Sequence, residues 1–190
     1  RSPLFQKFRL DAQLQDIFNP KVNLKSGGYL IIDQTEALVA IDVNSGKATR
    51  ERSIEDTALK TNLEAAEEFA RQSRLRDLSG LIVIDFIDME EGKNRNLVEK
   101  KLKDAMRKDR ARIQIGEISN FGLLELSRQR LRPSVIENSS ERCPQCGGSG
   151  RIQSIEVSEI QSLRSIEEEG NSDDNIGFKI SAHSDIILHI

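Results

Sequence analysis

The segment Ala37-Leu38-Val39-Ala40-Ile41-Asp42-Val43-Asn44 and its counterpart Leu81-Ile82-Val83-Ile84-Asp85-Phe86-Ile87 decide the architecture. Each is a short apolar run rich in β-branched residues and flanked by polar or glycine-containing sequence, which predicts a strand. The first is apolar almost throughout, so it is expected inside a sheet covered on both faces. Between the two, Ser53-Ile54-Glu55-Asp56 opens a helix expected to end near residue 75 or 78. Ser53 is its N-cap, and the acidic side chains of its first turn suit the positive end of the helix dipole. Leu59, Leu63, Ala66, Phe69 and Ala70 recur at helical spacing and predict the stripe that faces the sheet. Strand, helix and strand in alternation indicate a layered α/β fold.

Working outward, Tyr29-Leu30-Ile31-Ile32-Asp33 predicts a strand joined to the one over residues 37–43 by the polar Gln34-Thr35-Glu36, a hairpin. Upstream, Leu4, Phe5, Phe8, Leu10, Leu14, Ile17 and Phe18 predict a short amphipathic helix ended by Asn19-Pro20. Downstream follow a basic helix over 95–108, a short strand over 112–115, and a helix or helical turn over 120–132 interrupted by Gly122 and ended by Pro133. A polar segment, 137–142, leads into a cysteine and glycine loop. A helix over 152–168, an acidic linker over 170–175 and a final apolar stretch over 186–190 close the sequence.

With 190 residues, 31% of them charged and 37% hydrophobic, the chain suits one α/β domain with appended structure. No leader pattern and no apolar run of bilayer length occur, so a soluble, cytoplasmic protein is expected. The start at Arg1 and the finish on an apolar stretch are read as those of a piece of a longer chain. The net charge of -3 gives no sign of a nucleic-acid partner, but its distribution does. Between residues 93 and 112 the cations Lys93, Arg95, Lys100, Lys101, Lys103, Arg107, Lys108, Arg110 and Arg112 face only Glu99, Asp104 and Asp109. Such a stretch suits a phosphate backbone, or equally a solvated helix with internal ion pairs. Aromatic residues are 4% of the chain, so platforms for stacking bases are scarce.

Both apolar strands end in an aspartate, Asp42 and Asp85. Carboxylates at the C-terminal ends of neighbouring strands form a natural ligand or cation site at the open edge of a sheet. Side chains alternate along a strand, so Asp42 and Asn44 project from one face and can act together. Magnesium takes oxygen ligands, commonly one or two carboxylates plus substrate phosphate, and activates water for attack on a phosphodiester. The competing reading is that strand-end aspartates only cap the next turn; Asp33 and Asp88, which also end or follow apolar runs, show that position alone does not decide.

Three blocks resemble the catalytic signature of the ribonuclease E/G family: Glu36-Ala37-Leu38-Val39-Ala40-Ile41-Asp42-Val43-Asn44-Ser45-Gly46, Thr61-Asn62-Leu63-Glu64-Ala65-Ala66 and Gly80-Leu81-Ile82-Val83-Ile84-Asp85-Phe86-Ile87-Asp88-Met89. Phe121-Gly122-Leu123-Leu124-Glu125, Ser127-Arg128-Gln129-Arg130 and Cys143-Pro144-Gln145-Cys146 continue the pattern in order. The resemblance implies a deoxyribonuclease-I-like subdomain in which Asp42 and Asp85 bind catalytic Mg2+ and Asn44 assists at the scissile phosphate. It implies hydrolysis of single-stranded A/U-rich RNA to 5′-phosphate and 3′-hydroxyl ends, in mRNA decay and the processing of rRNA and tRNA. Arg112 matches a family position near a pocket that senses a 5′-monophosphate and is carried as an RNA-contact candidate. The implied divisions are a helical lead-in over 1–25, the catalytic subdomain over 26–136, a zinc-link over 137–152, and a helix, linker and start of a small domain over 153–190.

Cys143 and Cys146 have metal-binding or redox spacing, and elsewhere the chain offers only His183 and His189 as further nitrogen ligands. A tetrahedral zinc site needs four ligands, so one chain supplies half of a site that two protomers complete. A thioredoxin-like pair is the rival, although that motif normally follows a strand and opens a helix. The resemblance favours Zn2+ shared between two chains, a zinc-linked dimer within a homotetramer. It also allows partners in RNA decay and an inner-membrane location through other regions. The alternative to an endoribonuclease is a non-catalytic module for zinc-linked dimerisation and RNA contact.

Overall fold

The computed structural model describes residues 3–8, 10–47 and 53–170. The chain divides into two compact units, Arg1–Ser140 and Glu141–Ile190.

In the first unit the two decisive apolar segments become β3 (Val39–Asn44) and β4 (Gly80–Asp85). They pair in parallel, with Asp42 opposite Asp85. Parallel neighbours need a long crossover. The helix α3 (Ile54–Leu75) supplies it, and it is capped as expected, the Ser53 hydroxyl accepting the Asp56 N–H at 3.0 Å. The crossover returns the chain to the same end of the sheet, so both strands finish side by side. Among the described residues the sheet has six strands, ordered β1 (Lys21–Asn23), β2 (Tyr29–Gln34), β3, β4, β6 (Leu123–Arg128), β5 (Ile113–Ile118). Every pairing except β3 with β4 is antiparallel, which makes the sheet mixed. Pairing between β5 and β6 shifts register between Ile115 and Ile118, an irregularity on the outer strand. The hairpin between β2 and β3 is present, its turn closed by Thr35, whose N–H and hydroxyl both donate to the Leu38 carbonyl. The layered α/β expectation is met.

The core lies on one face of the sheet. Leu30, Ile32, Ile41, Ile82, Ile84, Leu124 and Leu126 meet Ala65, Ala66 and Phe69 of α3 and Val98 and Leu102 of α4 (Gly92–Met106). The stripe on α3 is displaced from the expected one: Ala58, Ala65, Ala66, Phe69 and Ala70 are buried, whereas Leu59 and Leu63 are only partly so. Small side chains let α3 approach closely, and the leucines take its margins.

Three expectations are corrected. β3 is not covered on both faces, because Val39, Ile41 and Val43 are buried while Ala40 and Asn44 are half-buried and Asp42 is exposed. The helix expected over 120–132 is instead strand β6, in which Leu124, Leu126 and Arg128 are buried and Leu123, Glu125 and Ser127 are exposed. That alternation has the period of a half-covered strand. The single helix expected over 4–18 is two short ones, α1 (Leu4–Lys7) and α2 (Leu10–Asp16). Leu4, Phe5, Phe8 and Leu14 stay exposed, and a helix as short as α1 with no buried residue has little to sustain it.

The second unit contains the cysteine loop and α6 (Ile155–Gly170), preceded at the close of the first unit by α5 (Val135–Ser139). α5 carries a capping box formed by Ser134 and Glu137. The acidic linker beyond residue 170, the closing apolar stretch, His183 and His189 lie outside the described residues. Among the described residues no helix is long and apolar enough to cross a membrane.

Candidate active site

The pairing registers lay two cross-strand rows on the face of the sheet opposite the core. One reads Ile31, Asp42, Asp85, Leu123; the next reads Asp33, Ala40, Val83, Glu125. Adjacent strands lie about 4.8 Å apart, so Asp42 and Asp85 stand as immediate neighbours. Asn44, two residues along β3 from Asp42, donates its side-chain N–H to the Asp42 carboxylate at 2.8 Å. The three residues singled out from the sequence therefore share one surface. Burial raises the pKa of the Asp85 carboxyl, and the charges of Asp42 and then Asp88 raise it further. A divalent cation between the two carboxylates would reverse that balance, because its charge favours their ionised form. An all-oxygen donor set of two carboxylates and an amide has the chemistry of a magnesium site.

Several groups to which sequence reasoning assigned no positioning role hold this end of the sheet in place. Asn62 of α3 is completely buried and mimics a strand edge: its amide donates to the Ile87 carbonyl at 2.8 Å and accepts the Ile87 N–H at 3.0 Å. Glu55 accepts the N–H groups of Glu90 and Glu91 and the side-chain N–H of Asn94. The Asn94 bond, followed by the Glu90 bond, lowers its pKa. Glu64 accepts the Ser26 N–H at 2.8 Å and ties down the turn between β1 and β2. For Asn62 the available signal was a polar residue set among the buried positions of an amphipathic helix, where it needs a partner.

The turn between β5 and β6 meets the carboxylates from the other side. Gly122 sits at φ 78°, where its N–H donates to the Ser119 carbonyl and its own carbonyl accepts the Phe86 N–H. A Cβ there would lie 3.0 Å from the Phe86 carbonyl oxygen and 3.2 Å from Asp88 Oδ1. Glycine is required both for the left-handed backbone and for this close approach.

Arg112 is not brought to the carboxylates. It precedes β5, whose Ile113 pairs with Arg128, and Arg128 pairs with Gly80 at the start of β4. Asp85 ends that strand, five residues on and therefore roughly 16 Å away along the sheet. Of the basic residues, Lys93, Lys101, Lys103 and Arg107 form ion pairs with Glu91, Glu67, Glu99 and Asp104. Three of these pairs are local to the basic helix, as the solvated reading with internal ion pairs expects, whereas Lys101 reaches Glu67 on α3.

In the second unit Cys143 is exposed and Cys146 half-buried, both as free thiols. The loop is a tight knuckle in which the Gly147 N–H donates to the Cys143 carbonyl at 2.8 Å. Backbone N–H groups of Gly150 and Gly148, and then the Cys143 side chain, lower the pKa of Cys146. A stabilised thiolate is the form that binds metal. Among the described residues no group of three or more His, Cys, Asp or Glu is placed to hold a metal ion, so the pair offers half a tetrahedral donor set.

A mixed α/β sheet that presents paired strand-end carboxylates on an open face defines the class of this protein. Its sequence matches the ribonuclease E/G family over residues 1–131, and the thioredoxin-like domain of ribonuclease E/G over residues 142–190. It is 56% identical over 167 residues to ribonuclease E of Escherichia coli (strain K12), covering 88% of this chain and 16% of that protein. Identity to ribonuclease E of Nostoc sp. is 47% over 150 residues, covering 79% of this chain and 22% of the relative. Ribonuclease G of Escherichia coli (strain K12) is 42% identical over 166 residues, covering 87% and 34%. The chain belongs to the ribonuclease E/G family, of whose curated members it spans a minor part.

Proposed function

We propose that this chain carries the chemical centre of an endoribonuclease that hydrolyses phosphodiester bonds in single-stranded, A/U-rich RNA, leaving 5′-phosphate and 3′-hydroxyl ends. The observation that carries the reading is the placement of Asp42 directly beside Asp85 on an open sheet face, with Asn44 hydrogen-bonded to Asp42, in a chain of this family. Asp42 and Asp85 would hold Mg2+, which when bound polarises a phosphate and makes water more acidic. Asn44 orients the Asp42 carboxylate through one amide N–H and has a second to offer a phosphate oxygen. Asn62 and Gly122 both hold the segment that follows Asp85, at Ile87 and Phe86, so the carboxylates are set before substrate arrives. Arg112 is assigned a contact with RNA remote from the scissile bond. The roles in mRNA decay and in rRNA and tRNA processing, and the cytoplasmic location, follow the same family reading.

Cys143 and Cys146 are proposed to bind Zn2+ together with the same pair from a second protomer, linking a dimer within a tetramer. Two free thiols three residues apart, with the Cys146 thiolate stabilised by backbone N–H groups, support this reading.

The test is magnesium- or manganese-dependent cutting of a short A/U-rich strand by the complete parent protein. Asp42→Asn and Asp85→Asn should each lower cleavage by about 100-fold or more, the scale of loss when a group stabilising charge in the transition state is removed. An inactive wild-type parent supplied with metal, or undiminished activity in both variants, refutes the assignment.

A further inference from the structure

The open face carries more than carboxylates. Beside Asp42 and Asp85 lies a trough of about 300 Å3, floored by Ala40 and Val83 and walled by Ile31 and Leu123. Ile31, Ala40 and Val83 are half-buried, and Leu123 is exposed. Asp33 stands at the end of the trough away from Asp42, in the row that holds Ala40 and Val83.

We propose that this trough is a subsite for the nucleobase of one nucleotide flanking the phosphate held at Asp42 and Asp85; the proposal rests on the nuclease reading of that site. Three features select a base. Carboxylates at both ends repel a bare phosphate yet admit a neutral ring. Aliphatic side chains left on an open face gain when an apolar ring covers them. The volume is at the small end of ligand sites, enough for one base and its sugar. A protein strand would need a sheet edge to pair with, and the trough lies on β2, β3, β4 and β6, inside the sheet. Because Asp42 and Asp85 themselves line the trough, the base must belong to a nucleotide next to the cut, and the subsite sets which phosphate reaches the carboxylates.

The experiment uses the complete parent protein with Mg2+ and a set of short A/U-rich strands, each with one abasic nucleotide, cleaved by wild type and by Leu123→Ala. A single abasic position beside the cut should lower wild-type kcat/KM about tenfold, within the range of losses when base contacts are removed. Leu123→Ala should lower it comparably on the intact strand and add nothing on that abasic strand. Val83→Thr, nearly isosteric, should repeat the pattern, with melting temperatures confirming that both variants are folded. Equal cleavage of every abasic strand and the intact one, or equal losses by Leu123→Ala on both, overturns the subsite while leaving the nuclease reading intact. No cleavage of the intact strand by the wild-type parent overturns both.

Discussion

Asp85 is held where its charge is unwelcome. Burial and the neighbouring Asp42 and Asp88 raise its pKa in the folded chain above that of the unfolded one. A carboxyl shifted this way stabilises the fold while protonated and withdraws that stability as pH rises through its folded pKa. Although Asp85 is solvent-exposed, its charge at neutral pH is expected to weigh against the metal-free fold. Asp85→Asn should melt at or above the wild-type temperature in the absence of divalent cation at pH 7, with the difference shrinking toward acid pH. Added Mg2+ should raise the melting temperature of the wild type and leave that of Asp85→Asn nearly unchanged, since a ligand stabilises only the state that binds it. Thermal scans with and without chelator over a pH series check both outcomes. Loss of activity with gain of stability is the expected signature of a functional carboxylate.

Among the elements, the loop after β4 depends on α3. Asn62→Ala leaves the Ile87 N–H and carbonyl without partners and should cost about 2–3 kcal/mol, read from denaturant midpoints. Cleavage should fall further than stability explains, because Asp88 and the end of β4 lose their anchor. On the other side, Gly122→Ala meets the Phe86 carbonyl and needs a left-handed backbone; a cost of about 1–2 kcal/mol and weakened metal binding by calorimetry are expected. Away from the site, Arg128 and Asp109 form a fully buried ion pair at 2.8 Å, with Arg128 also donating to the Leu78 carbonyl. Asp109→Ala should cost about 3–5 kcal/mol in urea unfolding, the penalty of an orphaned buried charge. These elements also mark where the sequence could be read. The apolar runs of β3 and β4 and the cap at Ser53 were legible because composition and a local hydrogen bond determine them. β6 was not: Leu124, Leu126 and Arg128 alternate correctly, but a buried arginine disguised the last inward position, and its partner Asp109 lies far off in sequence. Asp42, Asn44 and Asp85 could be named from strand ends, whereas the roles of Asn62 and Gly122 exist only once α3 and the turn before β6 close on the same loop.

Across the whole molecule the carboxylates lie in one unit and the thiols in the other. Cys143→Ser/Cys146→Ser should abolish zinc content and lower the oligomer mass, by elemental analysis and light scattering, while the unfolding transition of the first unit is preserved. Unchanged metal and mass would refute the shared site. The outer strands of the sheet add a consequence for how such proteins associate. β1 has three residues with a lysine at its start, and β5 loses its register between Ile115 and Ile118. Both ends of the ladder are thus poor templates for another strand. Copies of this chain brought close together should therefore gain little from pairing these two strands into continuous β-structure.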